Sequence, residues 1–154
     1  MLTAAIWLAF VFFTATTANV VGLQPIGKLF SVKYIRTIDG DTIIVERFAK
    51  RHIHVRLLGI NTAELKSGKS IAFQASQYTA VTLETAAKVF LEIDPVTPKD
   101  KYDRTLAWVW VQHNGSRKLL NLELLKHNLA EIYWKNESRR YRKEIMKYKN
   151  NKLH

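Results

Sequence analysis

From residue 28 onward the apolar positions fall into short alternating runs separated by turn residues. Lys28–Thr37 and Thr42–Phe48 are rich in β-branched and aromatic side chains, and Asp39-Gly40 between them is a favoured tight turn. Ala49-Lys50-Arg51 then leads into His52–Ile60, where Ile53, Val55 and Leu57 alternate with His54 and Arg56. The period changes after Ser67-Gly68-Lys69-Ser70. Over Ile71–Ala87, residues Ala72, Ala75, Thr79, Leu83 and Ala86 recur at three and four, which predicts a helix with one weakly apolar face. Lys88–Ile93 predicts a fourth strand, stopped by Asp94-Pro95 and Pro98. Thr105–Gln112 predicts a fifth, turned back towards Leu119 by Asn114-Gly115. Leu122, Leu125 and Leu129 mark a second helix, and Tyr141, Ile145 and Tyr148 a third.

The amino-terminal stretch follows a different rule. Leu2 to Leu23 is uncharged and mostly apolar, with Ile6, Trp7, Leu8 and Phe10–Phe13 followed by the small residues Thr14–Ala18. An apolar centre before small residues reads as a secretory signal, although no Lys or Arg precedes it. A run of about 20 apolar residues is also long enough to span a bilayer if it is kept. Residues 1–23 are therefore expected to be a signal peptide or membrane anchor, 24–30 a linker, and 31–150 the folded domain. This implies a secreted or cell-surface location.

Charge sharpens the picture. The chain carries +11, and residues 1–27 have no charged side chain, so the whole excess lies on 28–154. Such a body suits a polyanion, most simply nucleic acid, though an anionic membrane or cell wall also fits. Glu137–His154 alone holds seven Lys or Arg against two Glu, and reads as a solvated basic helix face more readily than a phosphate track. The absence of cysteine excludes a disulfide scaffold, a thiolate zinc site and a cysteine nucleophile. His52, His54, His113 and His127 show no metal-ligand spacing, and Trp108 and Trp110 alternate with Val109 and Val111 as core residues do.

The candidate chemistry sits at the ends of the predicted strands. Asp41, Arg56 and Glu64 flank apolar runs where a rigid sheet can aim them at one point, and Arg104 opens the fifth strand. Carboxylates for a hard cation, a spare glutamate and two guanidinium forks suit metal-assisted phosphodiester cleavage. Five strands, with a helix before the fourth and two after the fifth, predict an α+β, mainly β fold. Its form is a five-stranded Greek-key barrel of the oligonucleotide-binding (OB) type with three helices.

Three motifs give this a family likeness. Ile38-Asp39-Gly40-Asp41-Thr42, then Val55–Glu64 (VRLLGINTAE), then Asp100–Ala107 (DKYDRTLA) resemble the staphylococcal nuclease (thermonuclease) family, over roughly Ser31 to Trp134. The resemblance implies a calcium-dependent, exported enzyme that cuts DNA and RNA, with unpaired regions favoured, to leave 3′-phosphates. A monomer is expected. On that resemblance Asp41 is the main calcium ligand, Thr62 offers its backbone carbonyl, and Asn61 takes the second metal position. Glu64 is the general base, Arg56 and Arg104 grip the scissile phosphate, and Lys101 and Tyr102 contact a neighbouring phosphate. Either Tyr133 or Trp134 lies against the base.

Other readings stand beside these. Asp39 is taken as a turn former, Arg56 can serve as a structural partner of Glu64 or Asp41, and Arg104 as a strand cap. Asn61 stands where the family has an aspartate, Ala63 where a proline is frequent, and Asp103 where a glycine precedes the second arginine. The alternative function is a non-catalytic nucleic-acid-binding OB module. Such domains typically lack the Glu and Arg set retained here.

Overall fold

The computed structural model describes residues 22–48, 50–135 and 139–150, so the signal or anchor expected over 1–23 falls almost wholly outside it. Strands β1 (Phe30–Asp39), β2 (Thr42–Arg47) and β3 (Arg51–Leu57) form an antiparallel meander. β5 (Lys88–Ile93) pairs with the first half of β1, and β6 (Thr105–His113) pairs with β5. A parallel seam of β3 against β6, Val55–Leu57 beside Thr105–Ala107, closes the five-stranded barrel. This is the predicted OB-type topology. β7 (Ser116–Leu119) returns alongside β6 as a hairpin extension.

Closure puts both faces of β6 inside. Ala107 to Val111, including Trp108 and Trp110, are all buried, because the barrel covers one face and helices the other. Helix α1 (Ser70–Glu84) buries Ala72, Ala75, Thr79 and Leu83, the face its spacing predicts. It is weakly apolar because it must admit a backbone: a Cβ on Gly40 would lie 2.7 Å from that of Ala75. Thr79 Oγ1 donates to the Gly40 carbonyl at 2.6 Å. The small residues of α1 thus seat the β1–β2 turn, whose central pair is Gly40-Asp41 rather than Asp39-Gly40, with Asp39 facing Thr42.

The strand expected over His52–Ile60 breaks at Leu58-Gly59. Gly59 has φ +72°, and a Cβ there would meet Trp108 and Ile145 at 2.9 Å. Only glycine fits this bend. Beyond it, β4 (Ile60–Asn61) pairs with β8 (Glu131–Ile132), forming a second small sheet. α2 (Leu120–Lys126) is latched by buried Asn121, whose Oδ1 accepts from Val109 N–H at 2.9 Å while Nδ2 donates to the Leu58 carbonyl at 2.9 Å. The third helix is short: α3 covers Arg142–Ile145 and tightens into a 3₁₀ turn over Met146–Tyr148. Tyr141 and Ile145 are buried in the core.

Candidate nucleic-acid cleft

The second half of β1, the start of β2 and the end of β3 bring the carboxylates and Arg56 to one end of the barrel. Asp41 is buried, with Oδ2 accepting from Thr62 N–H at 2.7 Å and Oδ1 from the Thr42 hydroxyl at 3.0 Å. Arg56 faces Thr42 across one seam and Leu106 across the other. Its Nη2 lies 3.1 Å from Asp41 Oδ2 and 3.0 Å from Asn61 Oδ1, and Nη1 donates to the Leu57 carbonyl at 2.8 Å. Burial lowers the Arg56 pKa, opposed by the Asp41 charge and reinforced by Arg104. A guanidinium nevertheless stays cationic. Of the two partners considered for it, Asp41 is the one engaged.

Arg104 is held by Asp100, through Nε and Nη2 to Oδ2 at 2.7 Å each. Asp100 Oδ1 also accepts the backbone N–H of Tyr102 at 2.9 Å and of Arg104 at 3.1 Å, which folds the Lys101–Arg104 loop around one carboxylate. Burial alone would raise the Asp100 pKa, but the Arg104 hydrogen bonds and charge and the Tyr102 amide outweigh it, leaving it below the usual range. The Tyr102 ring carries Lys101 at 4.9 Å and Arg104 at 5.4 Å from its centroid.

Two adjoining hollows share Arg56, Arg104, Tyr133 and Lys135. One, of about 190 Å³, is lined by Asp39, Asp41, Asn61, Thr62 and Glu64 as well. The other, of about 290 Å³, has an apolar floor including Gly59, Ile60 and Leu106, rimmed by Lys101 and Tyr102. Arg56, Glu64, Arg104, Asp41, Asn61 and Thr62 thus converge on the first hollow, and Lys101 and Tyr102 lie on the second. Of the two aromatics, Tyr133 is brought to the cleft by its N–H bond to the Gly59 carbonyl at 3.0 Å. Trp134 instead packs on the core beside Trp108, ring centroids 6.1 Å apart. Glu64 is exposed and pairs with Lys66 at 2.6 Å.

Sequence reasoning missed two members and undervalued a third. Asp100, the clamp on Arg104, carried a signal only as an acid four residues before an arginine, since the pair lies on a turn and not on a helix. Lys135 lines both hollows, 5.4 Å from the Tyr133 centroid, and had none. Asp39 is more than a turn former: its Oδ1 accepts Leu65 N–H at 3.0 Å and so pins the loop that carries Glu64.

The class of structure is thus a five-stranded OB barrel with two guanidiniums, buried and exposed carboxylates and a tyrosine around one cleft. Residues 54–152 match the family described as Staphylococcal nuclease homologue, and the chain belongs to that family. It is 37% identical over 117 residues to a thermonuclease of Staphylococcus hyicus, covering 73% of this chain and 65% of that one. It is 38% identical over 120 residues to a thermonuclease of Staphylococcus intermedius, covering 75% and 66%. An endonuclease of Bacillus subtilis, YncB, is 34% identical over 108 residues, covering 68% and 49%. The chain spans just under two thirds of the length of the two thermonucleases it matches.

Proposed function

We propose that this protein is an exported, calcium-dependent nuclease that hydrolyses phosphodiester bonds of DNA and RNA without regard to sugar, leaving 3′-phosphates. The observation that carries this is the convergence of Asp41, Arg56, Glu64 and Arg104 on one hollow, beside a second hollow with an apolar floor.

The metal must fit these residues. The candidate ligand atoms on Asp41, Asn61 and Thr62 are all oxygens, the set a hard cation prefers, and Arg56 Nη2 and the Thr62 N–H lie against Asp41 Oδ2 beside them. Among the described residues no three His, Asp or Glu side chains gather into a self-sufficient metal cluster. Carbonyl, amide and water oxygens must complete the shell, as calcium tolerates. Asp41, the Thr62 carbonyl and the Asn61 amide oxygen would hold the ion. When bound, it would neutralise charge on a phosphate oxygen.

The side chains supply the rest. Glu64 takes a proton from water as the water oxygen bonds to phosphorus, and the bond to the leaving 5′ oxygen breaks. The Glu64–Lys66 pair is solvent-exposed, hence weak, so substrate can displace it. Arg56 bonds the Leu57 carbonyl and Asn61 Oδ1 and pairs with Asp41, and its fork of five N–H groups would also meet equatorial phosphate oxygens. Arg104 spends Nε and Nη2 on Asp100, leaving Nη1 for the same purpose. Tyr133 flanks a base, and Lys101 and Tyr102 meet the next phosphate.

The test is cleavage of single-stranded DNA and RNA by the full chain in calcium and in EGTA, beside Glu64→Gln. The expected outcome is calcium-dependent cleavage that collapses about 10²–10⁴-fold in the variant, the usual worth of a general base. Binding without cleavage at any calcium level would make the chain a binding module instead.

A further inference from the structure

A second cluster of aromatics and cations lies at the other end of the barrel. β2 separates it from the cleft: five steps of about 3.4 Å carry the chain some 17 Å from Thr42 to Arg47. Here the guanidinium of Arg47 sits 4.1 Å from the Phe30 ring centroid and 5.0 Å from that of Phe48, and Lys28 Nζ is 5.2 Å from Phe30. Phe48 is 75% exposed at the tip of the β2–β3 hairpin, flanked by exposed Lys50 and Arg51. None of Lys28, Arg47, Lys50 and Arg51 is in an ion pair among the described residues.

Within the fold Phe48 gains only the Arg47 contact and leaves most of its ring in water. We propose that this end of the barrel docks on an anionic lipid bilayer. Phe48 enters the boundary between headgroups and acyl chains, and the four cations meet lipid phosphates. The cleft, at the opposite end, then faces the aqueous side.

Three observations favour lipid over a strand of nucleic acid. Phe30 is already covered by cations, and Phe48 has Arg47 on it, so neither ring offers the bare stacking faces that bases use. The patch is also discontinuous with the cleft, so a strand lying on it would lead away from the reacting phosphate. Finally, Lys28 of the patch follows Leu23, the last residue of the apolar run, by five positions, although Gly22–Gln24 themselves lie against Leu122, Lys126, Glu144, Lys147 and Tyr148. Six residues lie between Leu23 and the start of β1, and the seven steps span at most about 25 Å. This last step rests on the proposed role of residues 1–23 in export or anchoring. An anchor within that reach would hold the patch at high effective concentration over the lipid.

The cysteine-free chain permits a direct test. His52→Cys, beside the patch, and Ser67→Cys, an exposed position beyond Glu64 at the cleft end, are each labelled with an environment-sensitive probe in the full chain. Vesicles of phosphatidylcholine, with or without phosphatidylglycerol, are added, and quenching by an aqueous quencher is read alongside sedimentation. Shielding at 52 but not 67, on anionic vesicles only, is the expected result. Phe48→Ser in the His52→Cys background should abolish it, and Arg51→Ser should weaken partition about fivefold, the equivalent of about 1 kcal/mol per cation. Phe48 is too exposed for its loss to threaten folding. Sedimentation with an unshielded 52 would overturn the proposal while leaving the anchor intact. Failure of both sedimentation and shielding would overturn the patch as well. Shielding by single-stranded DNA in place of vesicles would reassign it to nucleic acid.

Discussion

Asn61 serves two masters within the cleft. Its amide oxygen accepts from Arg56 Nη2 at 3.0 Å, the same nitrogen that lies 3.1 Å from Asp41. An amide oxygen can ligate calcium but brings no charge, and ligand charge count tunes affinity. Asn61→Asp is therefore expected to tighten calcium binding roughly tenfold by calorimetry. Unchanged or weaker binding would remove Asn61 from the ligand set. Asp100 offers a pH readout at the same scale. Its carboxyl is held below its ordinary pKa, so in the window between folded and unfolded values the unfolded chain binds more protons. Its contribution is present in full above the ordinary aspartate value and is lost as pH falls through the depressed one. Asp100→Asn should be less stable than the parent at neutral pH, and the two melting temperatures should converge in acid. A gap that persists there would assign the loss to shape rather than charge. The residues readable from sequence, Asp41, Arg56 and Arg104, each stand at the end of a run whose alternation is local. Asp39 was not readable in the same way, because its bond to Leu65 spans 26 residues and only the closed fold brings them together. Tyr133 and Trp134 could not be separated from sequence either. Which one meets the cleft depends on a backbone bond from Tyr133 to Gly59.

At the scale of elements, period and turn chemistry placed the five barrel strands and α1, while the connections followed longer-range demands. The third strand ends early because Gly59 must bend the chain past Trp108. The third helix is short, with Tyr141 and Ile145 both buried in the core, Ile145 beside Gly59 and Tyr141 against a buried charge. That charge is Glu92 on β5, fully buried. Oε1 accepts from Gly27 N–H at 2.8 Å and Arg140 Nη1 at 2.7 Å, and Oε2 accepts from Trp110 Nε1 at 3.0 Å and from the Tyr141 hydroxyl. Burial, and then the Glu92 bond, push the Tyr141 phenol well above its ordinary pKa, so it remains a donor. One carboxylate thus ties the chain before β1, two strands and the carboxy-terminal segment. Glu92→Gln keeps the shape but leaves Arg140 without its counter-charge, and breaking a buried pair in this way costs about 3 kcal/mol. Denaturant unfolding should show that loss. Turnover by the folded fraction should not change, since none of these residues lines the cleft. A drop in turnover at full folding would mean that the knot positions the site.

For the whole molecule the question is whether the +11 charge or its local arrangement governs substrate capture. Net charge raises the encounter rate through a field that salt screens over about 10 Å, whereas bound phosphates displace counterions one for one with the cations that touch them. The cleft presents Arg56, Lys99, Lys101, Arg104 and Lys135. Lys99 is paired with Asp103, Arg104 with Asp100 and Arg56 with Asp41, so those cations are partly neutralised before substrate arrives. If contact dominates, log affinity for single-stranded DNA should fall with log salt at a slope of about −2 to −3, at roughly 0.7 per phosphate met. Lys101 lies against the Tyr102 ring and in no ion pair among the described residues, so Lys101→Ala should flatten that slope by about 0.7. Lys118→Ala on β7 removes the same unit of net charge away from either hollow and should leave the slope unchanged. Binding isotherms across a salt series decide between the two. Equal effects from both substitutions would assign capture to the field of the whole molecule, and an effect of Lys101 alone would assign it to the cleft.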